Sequence, residues 1–492
     1  MDTLPLEIYP VDVVRDIDRC AIDTHGIPGY TLMTRAAESA LAAIDGQFPA
    51  ARCWLVLAGP GNNAGDAYVL ARLARARGID VTLMTLADPA GLGGDAATAA
   101  ADYREAGGTT VDFDGALPTG HDLIVDGVFC SGLVREVGGR YAAVIEQAIA
   151  APAPIVALDI PSGVAGDSGA ALGTAVEAAL TVAFVGLKAG YFLGEGIDRC
   201  GRLVFAGLDV PEVCYPRERA LLERIPDDAV ARHLSPRRRN AHKGDFGHVV
   251  IVGGAQGMPG AALMAGKAAL RSGAGRVSVA THPEHAGSFV AACPELMVTG
   301  VRDADELTDY AGRADVVALG PGLGDDAWSQ QVFAAARQLP VPAVWDAGAL
   351  TLLAGSPGRH RDRIITPHPG EAARLLERST AAVQADRLAA LQDLVAAVGG
   401  VVVLKGACTL VGTAEARPFV STRGNPGMAT AGAGDILTGI IAGLRAQGLP
   451  SPLAAVLGVD VHAGAGDLAA EAGERGLIAT DLLAGLRRML NP

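Results

Sequence analysis

The chain has 492 residues and a net charge of −14, from 40 basic and 54 acidic side chains; 50% of it is hydrophobic, 4% aromatic and 19% charged. That length suits about three average domains or two large ones. The hydrophobic share excludes a disordered chain, and the acidic balance argues against a general basic surface for nucleic acid.

In chain order, Met1–Pro5 shows no basic stretch followed by an apolar one, so no signal peptide is expected. An amphipathic stretch over 11–43 opens the chain. Trp54–Ala58 then reads as a buried strand, Tyr68–Arg77 as a helix, Val81–Leu86 as a strand and Asp95–Glu105 as a helix. Leu123–Val125, Ile155–Ile160 and Leu180–Val185 follow as further strands. Buried apolar strands joined by helices predict an α/β fold with a mostly parallel, doubly wound sheet. From about Leu208 to Ala241 the rhythm gives way to charged, Pro-containing sequence, and the run Arg237-Arg238-Arg239 reads as a solvated linker face. It restarts with the strand His248–Val252 and the helix Gly260–Ser272. Val316–Leu319, Ala343–Trp345, Ile364–Ile365 and Val401–Leu404 are the next strands, and Ile436–Leu444 is a helix. Two α/β domains are expected, over 1–225 and 226–492. The seven cysteines form no Cys-x-x-Cys pair, so reduced thiols in a cytoplasmic setting are expected rather than disulfides or zinc. Apolar runs end at Lys188 and Lys405, short of the ~18 residues of a membrane span, so no membrane partner is expected.

Glycine is the compositional outlier. There are 64, where average usage of about 7% would give roughly 34. Many lie where strands end. In the first half, Trp54–Ala58 runs into Gly59-Pro60-Gly61-Asn62-Asn63-Ala64-Gly65-Asp66-Ala67, a turn that lets backbone approach a phosphate at a helix N-terminus. Two more strand ends carry Asp126-Gly127-Val128-Phe129-Cys130-Ser131-Gly132-Leu133 and Asp159-Ile160-Pro161-Ser162-Gly163. Asn, Asp and Ser converging from three strand ends make an oxygen-only set suited to a hard cation, though each Asp alone is also an ordinary turn cap. Lys188, after another strand, is a candidate proton-transfer group for the same pocket.

These motifs resemble the NAD(P)H-hydrate epimerase family, which is Rossmann-like, over roughly 10–215. The resemblance implies that Asn62, Asn63, Ala64, Gly65 and Asp66 bind the hydrate, as do Cys130, Ser131, Gly132, Leu133, Val134, Arg135 and Glu136. It implies potassium on Asn63, Asp126 and Ser162, and makes Asp159 a substrate contact and candidate catalytic group. Ala64, Ala67 and Cys130-Ser131 depart from the family pattern, which has Gly, Gly and Gly-Thr.

In the second half, Gly424–Asp435 is a loop of small residues leading into a helix. Its free N–H groups and the helix dipole make an anion hole, with Asp435 beside it as a candidate general base. Gly320-Pro321-Gly322-Leu323-Gly324, Thr366-Pro367-His368-Pro369-Gly370-Glu371 and Lys405-Gly406-Ala407-Cys408-Thr409 follow other strands. Together they resemble the NAD(P)H-hydrate dehydratase family, which is ribokinase-like, over roughly 235–490. The resemblance implies that Lys405, Gly406, Ala407, Cys408, Thr409 and Gly434 bind the nucleotide and that Ala261, Gly322, His368 and Asp435 contact the hydrate. Ala431, where Gly is common, and Gly348 in Asp346-Ala347-Gly348-Ala349-Leu350, where a second Asp is common, depart from the pattern.

The domain order matches the bifunctional bacterial type. That implies epimerisation of the R and S hydrates of NADH and NADPH (NADHX and NADPHX), and dehydration of the S form with ADP as phosphoryl donor and Mg²⁺ as divalent ion. It also implies a homo-oligomer. The rival reading is a ribokinase-like small-molecule kinase fused to a noncatalytic dinucleotide-binding module.

Overall fold

The computed structural model describes residues 3–356 and 358–492. Met1 and Asp2, part of the segment read above for a signal peptide, lie outside the described residues. The chain divides into two compact units, Met1–Glu223 and Arg224–Pro492.

In the first unit, β2 (Cys53–Ala58), β3 (Asp80–Thr85), β4 (Thr110–Asp112), β5 (Leu123–Gly127), β6 (Ile155–Leu158), β7 (Leu180–Phe184) and β9 (Arg202–Ala206) form a parallel sheet in the order β4-β3-β2-β5-β6-β7-β9. Alternation along β2 shows why both faces are covered. Trp54, Val56 and Ala58 enter one apolar core with helix Gly29–Gln47, while Leu55 and Leu57 enter another with Val144 and Ile145 of helix Gly139–Ala150. Strand β1 (Glu7–Tyr9) pairs parallel with β8 (Leu187–Lys188) and antiparallel with β10 (Leu222–Arg224).

The second unit holds β11 (His248–Val252), β12 (Arg276–Thr281), β13 (Met297–Gly300), β14 (Val316–Leu319), β15 (Ala343–Trp345), β16 (Arg363–Ile365) and β17 (Val401–Leu404). They run parallel in the order β13-β12-β11-β14-β15-β16-β17, and β18 (Leu410–Gly412) and β19 (Phe419–Val420) continue antiparallel. In such sheets the loops at the carboxyl ends of the strands gather to form the ligand crevice.

Several expectations are corrected. The helix read as Tyr68–Arg77 begins at Asn62 and runs to Ala76, so the asparagines lie in its first turn rather than in a preceding loop. Strand β6 stops at Leu158 because Asp159 has φ +65, outside extended geometry. Not all the cysteines are reduced: Cys20 and Cys214 form a disulfide, their Cα atoms 5.6 Å apart across 194 residues of sequence. Arg237 does more than face solvent. It is exposed like Arg238 and Arg239, but it also stacks over the Phe246 ring at 3.6 Å and donates to the Gly273 carbonyl at 2.6 Å. One segment missed in the search for long apolar runs is Ser451–Ala472, long and apolar enough to cross a membrane; 67% of that window is buried inside the protein, where its helix packs against Ala433–Ala446 and Leu482–Met489.

Candidate functional site

The first unit presents one cluster at the carboxyl ends of β2, β5 and β6. Asn63 is 2% exposed. Its Nδ2 donates to the carbonyls of Phe129 (2.8 Å) and Leu158 (3.2 Å), while its Oδ1 is buried without a hydrogen-bond partner. Asp126 is fully buried and accepts from the Ser162 hydroxyl (2.6 Å) and backbone N–H (2.7 Å); the Ser162 Oγ in turn accepts from the Phe129 N–H at 2.8 Å. Burial pushes the Asp126 carboxyl up to about 6 against the pull of these donors. The three residues expected to share a cation are therefore linked through Phe129.

Beside them lies a charged group. The Lys188 ammonium, 1% exposed, sits 2.5 Å from the Asp159 carboxylate and 3.4 Å from the Tyr191 hydroxyl, which donates to the Asp159 carbonyl at 2.8 Å. The pairing of Lys188 with Tyr9 across β8 and β1 fixes the base of this lysine. Asp66 and Asp18 share the field: burial, then Asp159 and Asp18, raise Asp66 well above the ordinary carboxyl range. Burial raises Asp18 to about 6, against Lys188 and with Asp159. Asp18 went unnoticed in sequence because only the tertiary fold carries the helix Val11–Arg19 to this cluster. Asp159 holds its left-handed backbone in the midst of it, a strain that such sites commonly store.

The glycine-loop departures turn out to face inward. Ala64 and Ala67 are fully buried in the core, and a Cβ on Gly127 would come within 2.6 Å of the Ala67 methyl. Gly65 is a packing glycine: a side chain there would strike Met33 at about 2.5 Å. In the second predicted loop, Cys130, Ser131, Gly132 and Leu133 are half-buried, whereas Val134, Arg135 and Glu136 are exposed and stand apart from the buried cluster.

The second unit builds its site around Lys405. Its ammonium lies 2.7 Å from Asp346 and 3.8 Å from Glu371, and the Thr438 hydroxyl donates to the other Asp346 oxygen at 2.8 Å. Burial opposes the Lys405 charge, but Asp346 and Glu371 outweigh it and hold the ammonium above its ordinary pKa. Asp435 stands in the first turn of helix Ala433–Ala446, behind Gly432 at φ +95. Burial and Asp346 push its carboxyl up to about 7, against Lys405. Glu371 also rises to about 7, again chiefly through burial. Gly434 abuts the ion pair: a Cβ there would lie 3.1 Å from the Lys405 nitrogen.

His368 caps the helix Pro369–Leu375. Its Nδ1 accepts from the Gly370 N–H (3.0 Å) and weakly from the Glu371 N–H (3.4 Å), and Glu371 accepts from the His368 N–H at 2.8 Å. With Nδ1 so occupied, and the pKa lowered by burial and by Lys405, the ring presents Nε2 as its remaining polar atom. Gly322 (φ +66) lies against Ala261, since a Cβ on it would fall 3.2 Å from the Ala261 methyl. In the loop 405–409, Arg387 donates to the carbonyls of Ala407 (2.5 Å), Leu404 and Lys405 (3.3 Å each), and Thr409 bonds back to the Gly406 carbonyl.

Asp346, Thr438, Glu371 and Arg387 were absent from the expected site residues. So was His462, whose Nε2 lies 2.9 Å from the Ala433 carbonyl, and whose pKa burial lowers to about 4. Two of them carried a signal: Glu371 closes the motif Thr366–Glu371, and Asp346 is a strand-end Asp beside the noted Gly348. A Cβ at Gly348 would collide with the Leu323 carbonyl, so the packing here has no room for the second Asp of the family pattern.

Residues 249–488 match the family model described as NAD(P)H-hydrate dehydratase, and residues 29–190 match that of the YjeF-related protein N-terminus. A bifunctional NAD(P)H-hydrate repair enzyme of Escherichia coli is 42% identical over 491 residues, covering 100% of this chain and 95% of the relative. That of Coxiella burnetii is 43% identical over 486 residues, with 99% of each covered. The chain belongs to the bifunctional NAD(P)H-hydrate repair enzymes. A solved structure, a hypothetical protein from Streptococcus mutans, aligns with a TM-score of 0.50 and 30% identity over 54% of this chain and 98% of that one. The repair enzyme thus carries an epimerase and a dehydratase domain, and the likeness covers both, which does not favour a kinase fused to a noncatalytic module.

Proposed function

We propose that residues 1–225 interconvert the R and S hydrates of NADH and NADPH, and that 226–492 phosphorylate the S hydrate with ADP and expel phosphate, leaving AMP and the reduced nucleotide. Hydroxide is a poor leaving group, and phosphorylation converts it to a good one. The observation that carries the second step is a half-buried carboxyl at a helix start, Asp435 at about 7, beside an anchored ammonium. Asp435 would take the proton of the attacking hydroxyl, and Lys405 with the N–H groups at Gly434 would hold nucleotide phosphate. His368, Gly322 and Ala261 would contact the hydrate. Asp346 and Glu371 offer oxygen donors that fit a hard divalent ion such as Mg²⁺, which when bound neutralises phosphate charge.

In the first domain the unpartnered buried Asn63 Oδ1 beside Asp126 and Ser162 fits a potassium ion, which would steady the phosphate-side loops. Asp159 and Lys188 would exchange the proton at the epimerising centre, with Asn62, Asn63, Asp66 and Cys130 to Leu133 lining the hydrate. The resemblance further supports a homo-oligomer, which light scattering measures directly.

Mixed hydrate epimers and ADP test the whole reading. Full recovery of the reduced-nicotinamide absorbance is expected. Recovery of half, with the rest unresponsive to the first domain, would overturn the epimerase assignment; a stable phosphorylated alcohol with no recovery would overturn the dehydratase.

A further inference from the structure

The Cys20–Cys214 pair lies outside both clusters described above, yet it has a third member. One ring nitrogen of His25 and the sulfurs of Cys20 and Cys214 all lie within 4.8 Å of one another. The backbone explains the convergence. Residues Cys20–Thr24 form a π-type turn, closed by the His25 N–H donating to the Cys20 carbonyl at 3.2 Å. This i to i+5 closure sets residue 25 beside residue 20, where an ordinary α-helix would set residue 24; such single π turns recur at functional positions. Cys214 arrives on the short turn Glu212–Cys214 and is buried in the apolar core, Cys20 is half-buried, and His25 is exposed.

We propose that these three side chains are a redox-gated site for a borderline-soft divalent ion of the zinc class. Oxidised, the sulfurs bond to each other and the site is closed. A dithiol reductant transfers two electrons and two protons to the disulfide, giving two thiols and becoming a disulfide itself. Two thiols and an imidazole at one point are then a Cys₂His ligand set, with water in the fourth tetrahedral position on the exposed His25 side. Metal uptake releases the two thiol protons, because thiolates are the ligands. The set selects against the hard ions suited to the oxygen donors at Asn63 and Asp126. Either state ties the helix that carries Asp18 to the segment at 214.

The test uses the untagged full chain with Co²⁺ as a visible probe and Zn²⁺ as competitor. The dithiol-reduced chain should take up one Co²⁺ with a thiolate-to-cobalt absorption band, release two protons, and lose the band to Zn²⁺; the oxidised chain should take up none. His25→Ala, at an exposed position that leaves the disulfide intact, should weaken uptake by more than the roughly 10–100-fold that loss of a supporting outer partner costs. Cys20→Ser with Cys214→Ser should abolish the band. No band in the reduced wild type, a band surviving in the double serine variant, or unchanged affinity in His25→Ala would each overturn the proposal.

Discussion

Replacing Lys405 with Met removes the cation that the carboxyl groups of Asp346, Glu371 and Asp435 share. Asp346 then keeps its Thr438 hydrogen bond, but its side chain, 2% exposed, has lost its counter-charge. Glu371 and Asp435, already raised to about 7, lose the ammonium that had been holding them down. Breaking a buried pair by deleting one partner typically costs about 3–5 kcal/mol. For a unit of this size, each kcal/mol moves the midpoint by roughly 2–4 °C, so a loss of about 6–20 °C is expected for the second unit. The sign with pH follows from linkage. A carboxyl whose pKa is raised by folding binds its proton more readily in the folded state, so its contribution favours folding at low pH and fades as pH rises through about 7. The deficit of the variant should therefore shrink between about pH 7.5 and 5.5, as Glu371 and Asp435 take up protons. Adding Asp346→Asn should restore part of the loss. Ligand-free thermal unfolding of the full chain at both pH values is the assay. A shift below about 2 °C, or a deficit that grows on acidification, would refute the shared-cation reasoning.

Asp435→Ala should lower phosphorylation of the hydrate by about 10²–10⁴-fold while nucleotide still binds. In the wild type, with the carboxyl at about 7, the rate should fall close to tenfold per pH unit below that value; stopped-time turnover across pH checks both. Asn63→Leu should abolish any rise in the first unit's unfolding midpoint on exchanging Na⁺ for K⁺, a rise the wild type should show. Lys188→Met leaves Asp159 buried without its cation and should stop epimerisation while dehydration of the S hydrate continues, as followed by recovery from each separated epimer. Gly348→Asp, although it restores the common family residue, should cost about 1–3 kcal/mol through collision with the Leu323 carbonyl, read by denaturant unfolding.

Apolar strand runs and glycine-rich strand ends made the α/β class legible, because burial on both faces of a parallel sheet requires continuous apolar strands and loops at strand ends require small residues. Asp435, Lys405, Asn63, Asp126 and Ser162 could be singled out because each sits in a short motif. Asp18, Arg387, Thr438 and His462 could not, since each acts through a neighbour distant in the chain: Thr438 meets Asp346 across 92 residues. His368 was singled out as a ligand contact, and its role as a helix cap became visible only with the hydrogen bonds of its Nδ1.

By itself the sequence determined the alternation of strands and helices and where glycines and carboxylates would stand at strand ends, because these depend on local periodicity and backbone freedom. The tertiary structure alone decided which of those groups share a field: that Lys405 is held by Asp346 and Glu371, that Lys188 is buried against Asp159, and that Cys20 meets Cys214. Such pairings depend on how sheets bring remote segments together, and the charge of each group is worth little until burial removes the water that would otherwise screen it.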